Sequence, residues 1–255
     1  MTRTVGVDLA ASPSKTAVAA VDWSNSGAKL ADLVMPADDA AIRAISDGVQ
    51  RIGIDAPFGW PDAFVEFISA HHRGRTPSGK RLDDVSHRRP LVYRRTDLVV
   101  AGLPNGRRPL SVSADQIAHV AFRCAGLLAD LDVDNRVDGW AVEAYPAAAL
   151  TFWGLRPRGY KRIENRPVRE IMVAELRAAA PWLELGDHAQ AMIENDDVFD
   201  AVITALIARA AALGRTRRPA PEDLPIALRE GWIHVPDSGL DELPLSSRRL
   251  SRPDR

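Results

Sequence analysis

"IGIDAPFGWP", residues 52–61, sets a carboxylate at the end of a short apolar run and a proline two residues later. Ile52 and Ile54 have the alternation of a strand that buries one face. Asp55 ends it, and Ala56-Pro57 prevents its continuation. Asp is common at strand ends because it starts turns. The alternative is that this tip holds an acid for chemistry, and the neighbouring segments bear on which applies.

Residues 3–12, 16–23 and 28–36 read as three further strands, joined by Ser-Pro-Ser and Asn-Ser-Gly connections short enough for hairpins. Residues 37–49 have helical spacing with Asp near the start, and residues 61–72 open on a helix-compatible proline. Helices are expected over 113–132, 167–181 and 195–214, and "GWAVEAYPAAAL" (139–150) is a strand passing into a helix. "GWIHVP" (231–236) is a candidate late strand. This order predicts an α/β fold whose mixed sheet starts antiparallel and continues parallel.

The chain has 255 residues, 46% of them hydrophobic, enough for one large domain with its own core. We expect a single domain over residues 1–236, interrupted by a basic insertion at about 71–112 and followed by a polar, flexible tail over 237–255. The net charge of −1 hides an asymmetry. Between residues 71 and 110 stand Arg73, Arg75, Lys80, Arg81, Arg88, Arg89, Arg94, Arg95, Arg107 and Arg108, against Asp83, Asp84 and Asp97. A basic surface of that kind suits phosphate contacts. Tyr93 and Trp60 are candidates for base stacking, or else packing residues. Cys124 is the one cysteine and sits in a helical apolar pattern, which excludes a disulfide framework and a cysteine-type zinc site. No apolar run has the length of a membrane span and the N-terminus lacks a leader pattern, so a cytoplasmic protein without a membrane partner is expected. A homo-oligomer stays open.

The acids carry the chemistry. Asp8 lies within the first strand between Val7 and Leu9, Asp55 ends the fourth, and Glu143 lies in the fifth. Asp197 and Asp200 share one face at the start of the most apolar helix. If strands one and four are parallel neighbours, Asp8 and Asp55 stand side by side at their carboxyl ends, where ligands of such sheets bind. Clustered carboxylates repel, and a divalent cation removes the conflict. An all-oxygen set favours Mg²⁺ or Mn²⁺. Two such ions about 3.5–4 Å apart suit phosphodiester hydrolysis.

"VGVDLA", "IGIDAPFGWP", "YRRTD", "VEAYPAAAL" and "DDVFDAVITALIARAAA" occur in this order over about residues 4–236. Together they resemble an uncharacterised domain family described as a predicted RNase H-like nuclease. The resemblance implies an RNase H-like fold, with a five-stranded mixed sheet (three antiparallel, then two parallel strands) between helices. It implies metal binding by Asp8, Asp55 and Asp200, with Asp197 beside them and Glu143 in the "EAYP" segment as further catalytic acids. Arg94, Thr96 and Asp97, in the "RxTD" segment, are implied to face the substrate. Arg73, Arg75, Lys80, Arg81 and Arg95 are candidate substrate contacts. Two other functions stay open: an actin- or sugar-kinase-like phosphotransferase or ATPase, and a non-catalytic nucleic-acid-binding adaptor. The first needs a glycine- and hydroxyl-rich turn after the first-strand acid, and "DLAASPSKT" has hydroxyls but no glycine. A serine–histidine hydrolase is disfavoured by six scattered histidines and the lack of G-x-S-x-G.

Overall fold

The computed structural model describes residues 2–76, 81–113 and 115–244. Lys80 and the tail from residue 245 lie outside them. In chain order the elements are β1 (Thr2–Asp8), β2 (Ala17–Trp23), β3 (Ala28–Val34), α1 (Asp39–Ser46), β4 (Arg51–Asp55) and α2 (Asp62–His72). Then come α3 (Val85–Val92), α4 (Arg95–Ala101), α5 (Asp115–Asp130), β5 (Ala141–Glu143) and α6 (Pro146–Phe152). The chain continues with α7 (Arg166–Ala179), β6 (Leu183–Glu184), α8 (His188–Glu194), α9 (Asp196–Ala212) and α10 (Leu224–Glu230). Among the described residues no helix is long and apolar enough to cross a membrane.

One mixed sheet has the order β5-β4-β1-β2-β3-β6. β2 runs antiparallel to β1 and β3, whereas β4 is parallel to β1 and β5 to β4. The expected five strands are therefore six. The extra one, β6, pairs parallel with β3 through Ala28↔Leu183 and Lys29↔Glu184. A two-residue strand is too short to show alternation, so "WLEL" carries no readable signal. Residues 231–236 form isolated bridges instead of a strand: Ile233 pairs with Glu143, and Pro236 with Thr216. With β5 only three residues long, the sheet edge offers little ladder to extend.

Strand alternation sends two different sets of side chains to the two faces. Val5, Val7, Val18, Ala20, Ile52 and Ile54 pack with Ile42 of α1 and with Cys124, Leu127 and Leu128 of α5. Cys124 is buried there, as its sequence context predicts, and burial pushes its thiol pKa up. On the other face, Ala17, Ala19, Val21 and Trp23 pack with α9, and with Leu176 and Met192 from the helices before it.

α9 is buried from Val198 through Ala211, which explains why apolar residues occur on every side of it. Its N-terminus is capped by Asn195, whose Oδ1 accepts from the amide of Asp197 at 2.7 Å. The acids that follow are thus not needed as caps. The helix backbone touches the sheet at Gly6, which is paired with Gly53 across β1 and β4. A methyl group on Gly6 would lie 2.1 Å from the carbonyl oxygen of Ala201 and 2.1 Å from the amide of Ala205. On Gly53 it would lie 2.8 Å from the oxygen of Thr204. Thr4 reinforces the contact by donating to the Ala205 carbonyl at 3.1 Å, and Trp23 Nε1 donates to Thr4 Oγ1 at 2.9 Å.

Gly6→Ala should therefore cost about 3 kcal/mol, because the clash is with backbone and no side chain can rotate away. Urea unfolding measures it; a loss under about 1 kcal/mol would mean that α9 can lift off the sheet freely.

Candidate functional site

Asp8 and Asp55 are register partners at the carboxyl ends of β1 and β4. Each lies two residues after a contact glycine, so each faces α9. One residue before the Gly6 contact on the helix stands Asp200. The close approach of helix and sheet brings carboxylate oxygens of all three to within 4.8 Å of one another. Asp200 is 1% exposed, while Asp8 and Asp55 are partly open to a cavity.

Two residues from the segment between α6 and α7 join them. Tyr160 donates its hydroxyl to Asp200 Oδ1 at 2.8 Å, and the Lys161 ammonium donates to Asp200 Oδ2. Lys161 Nζ is also 4.0 Å from Asp196. Arg169, fully buried, anchors the segment by donating to the carbonyls of Tyr160 (2.5 Å) and Arg162 (2.7 Å) on either side of Lys161.

Burial is the largest cause of the raised carboxyl pKa values throughout the cluster. It holds Asp8 well above the usual carboxylate range, with the charges of Asp200 and Asp55 adding to it. It pushes Asp55 up to about 7, with Asp200 adding. Asp200 is also raised by burial, against the pull of Lys161 and the Tyr160 hydroxyl. Asp197, half-buried one turn earlier, is raised by burial and by Asp196. For Lys161 burial works downward, but Asp200 and Asp8 outweigh it and hold the ammonium above its ordinary value.

Glu143 sits differently. Its Oε1 accepts from Arg94 Nη2 at 2.7 Å, and its Oε2 from Arg94 Nη1 at 2.8 Å and the Phe58 amide at 3.0 Å. Arg94 also donates Nη2 to Asp97 Oδ1 at 2.9 Å and Nη1 to the Glu230 carbonyl at 3.1 Å. Thr96 Oγ1 accepts from the Ile233 amide at 2.9 Å. Arg94, Thr96, Asp97 and Glu143 are all at most 2% exposed. They tie α4 and the chain after α10 to the edge of the sheet.

The structure thus brings Asp8, Asp55 and Asp200 together, with Asp197 adjacent and Glu143 at the margin. The bonding capacity of Arg94, Thr96 and Asp97 is largely used inside the protein. Arg95 is exposed and pairs with Asp223 at 2.7 Å. Arg73, Arg75 and Arg81 are exposed and form no ion pair among the described residues. A cavity of about 370 Å³ has Asp8, Asp55 and Lys161 on one side, and an apolar wall of Leu110, Ile117, Val120 and Ile233.

Sequence reasoning missed Tyr160, Lys161 and Arg169. The available signal was compositional: Lys161 is one of four lysines in a chain with 29 arginines. A lysine provides a compact charge on a flexible stem, which arginine does not.

Two outcomes follow from this electrostatic layout. A carboxyl raised in the folded state contributes stability that is complete below its unfolded pKa of about 4 and is lost as pH rises through the folded value. The Tm of the protein in EDTA should therefore fall between about pH 5 and pH 8, and Asp55→Asn should flatten that slope and raise stability at about pH 8 by on the order of 2 kcal/mol. Identical slopes in both proteins would show that Asp55 is already compensated. Arg94→Met, which strands two buried carboxylates, should cost about 3–5 kcal/mol in a denaturant titration; a near-neutral result would remove the network from the fold's supports.

No curated protein and no solved structure matches the chain. A family model does match it, over residues 6–224, a span that runs from β1 to the first residue of α10 and includes the three converging aspartates, Lys161, and Arg94 with its carboxylate partners Asp97 and Glu143. The chain belongs to that family, the proteins of unknown function described as DUF429.

Proposed function

We propose that this protein is a metal-dependent hydrolase of phosphodiester bonds, a nuclease with an RNase H-like arrangement of its sheet. The observation that carries this reading is the convergence of Asp8, Asp55 and Asp200. Three acids raised by burial and mutual repulsion form an under-compensated site, and their donors are all oxygen. That set fits Mg²⁺ or Mn²⁺. Bound divalent cations would supply charge neutralisation and Lewis acidity for water attack on phosphorus.

The chain's own residues have separable parts in this scheme. Asp8, Asp55 and Asp200 hold the cations. Asp197, half-exposed at the helix start, extends the acidic rim. Tyr160 fixes the orientation of Asp200. Glu143, locked by Arg94, sets the position of the edge strand beside Asp55. Exposed Arg73, Arg75, Arg81, Arg107 and Arg108 offer phosphate contacts, and Arg108 lies 4.2 Å from the centre of the Tyr93 ring. The sheet order β5-β4-β1-β2-β3, with β2 antiparallel to both neighbours, supports the RNase H-like reading.

A small phosphoester is a second reading, favoured by the walled cavity of about 370 Å³ beside the acids. The phosphotransferase reading gains nothing from the turn after β1. Thr16 Oγ1 there accepts from Arg123 at 2.6 Å, and Ser12 and Ser14 bond each other at 2.9 Å.

The test is hydrolysis of labelled single- and double-stranded DNA, RNA, an RNA–DNA hybrid, a branched junction and a small phosphodiester, in Mg²⁺, Mn²⁺ or EDTA. Cleavage that requires metal and falls more than about a hundredfold in Asp8→Asn is expected. Folded protein that cuts none of these substrates in either metal would sink the hydrolase reading.

A further inference from the structure

Lys161 and its partner Asp200 are held in unlike ways. Asp200 is 1% exposed, with one oxygen fixed by the Tyr160 hydroxyl at 2.8 Å. The Lys161 side chain is 53% exposed and reaches into the cluster from the cavity wall. Its backbone is anchored on both sides by Arg169, which grips the carbonyls of Tyr160 and Arg162. The carboxylate is thus immobile, while the ammonium rides on a flexible four-carbon stem whose root is fixed.

Charge gives the same picture. Asp8, Asp55 and Asp200 bring three carboxyl groups into one space, and among the described residues one ammonium, that of Lys161, bonds to the cluster. One lysine against three carboxylates leaves room for a dication, but the ammonium occupies an oxygen that a dication would use. Both cations on Asp200 at once would repel each other at close range. A lysine released from Asp200 cannot go far, because its backbone stays at the rim of the cavity.

We propose that Lys161 is an exchangeable counter-cation for the carboxylate cluster. It holds Asp200 in the metal-free protein, gives way when a divalent cation binds, and then faces the cavity as the partner of an anionic oxygen on the substrate. This inference rests on the metal-dependent reading of the same site. It makes Lys161 a further substrate-contacting residue and makes metal loading the event that frees it.

The experiment has two arms, neither of which depends on turnover. In the first, the Kd for Mn²⁺ is measured at about pH 8 for the wild type, Lys161→Met and Asp8→Asn. Loss of the competing ammonium should tighten Mn²⁺ binding about tenfold or more in Lys161→Met, and Asp8→Asn should weaken it. Metal-free Lys161→Met should have a lower Tm than wild type, with Mn²⁺ restoring more of it. In the second arm, the wild type is treated briefly with an amine-acylating reagent and modification of Lys161 is quantified by peptide mass spectrometry. Lys161 should be protected in EDTA and become several-fold more reactive in Mn²⁺, with no such change in Asp8→Asn.

Mn²⁺ binding to the wild type with unchanged Lys161 reactivity would overturn the exchange and leave the metal site standing. Unchanged or weaker binding in Lys161→Met would do the same. Absence of Mn²⁺ binding from the wild type and Lys161→Met alike would overturn both the exchange and the metal reading beneath it.

Discussion

Backbone contact between α9 and the sheet at Gly6 and Gly53 is the constraint on which the rest depends. The two glycines are register partners, so β1 and β4 present a flat strip two strands wide. A helix laid on that strip comes closer than side chains normally allow, with the Ala201 carbonyl and the Ala205 amide lying over Gly6. Two residues further along each strand, alternation returns a side chain to the same face, and in both strands it is aspartate. One residue earlier in the helix is Asp200. The carboxylates converge because their neighbours have no side chains to hold the layers apart.

Stability and reactivity divide between two acidic clusters on this frame. Around Arg94 the acids are saturated: Glu143 receives two guanidinium bonds and a backbone amide, and Asp97 is bonded by the same arginine. Such a buried network fixes positions because its polar atoms are hydrogen-bonded to one another. Around Asp8 the acids are in deficit. Among the described residues, the carboxyls of Asp8 and Asp55 are not bonded to any cation in the way that Glu143 is, and Lys161 reaches Asp200 from the partly exposed side. A folded chain tolerates such an arrangement at a cost to its own stability, and sites of that kind are where ligand binding returns the deficit. The first cluster holds β5, α4 and the chain after α10 in place, and so shapes the wall of the cavity beside the second.

Local signals in the sequence carried much of this. Asp8 was conspicuous because an acid between Val7 and Leu9 in an apolar strand needs a partner. Asp55 was conspicuous because a proline follows it. Asp200 stood in a helix apolar on most faces, where an acid past the capping positions is out of place. The parallel pairing that joins the first two entered the sequence reading only as a condition, which the β1–β4 register meets. What stayed illegible had no local period. β6 is two residues long, and α3 and α4 lie in a segment whose Gly, Pro and Arg content reads as loop. Their formation depends on Asp84 capping α3, with its carboxylate accepting from the Ser86 amide at 2.8 Å, and on Arg94 tying α4 to Glu143, 49 residues away. Tyr160 and Lys161 were hidden for the same reason, since their partner Asp200 lies about 40 residues downstream.

The Arg94 network also changes the meaning of the basic insertion. Its arginines fall into two kinds that composition cannot separate. Arg94 is buried and neutralised within the fold, so it adds nothing to a surface field. Arg73, Arg75, Arg81, Arg107 and Arg108 are exposed. Arg94 anchors α4 near the acidic cluster, and Leu110, shortly after Arg107 and Arg108, lines the cavity that holds Asp8 and Asp55. A basic segment attached only by its ends would place its charge anywhere within the reach of the chain. Arg94 and Leu110 both line that cavity, so the stretch between them, with Arg107 and Arg108 near its end, begins and finishes beside the acids. Under the hydrolase reading proposed above, a basic stretch beginning and ending at the acidic cavity would offer contacts to an anionic substrate whose reacting group must enter a site it would otherwise avoid.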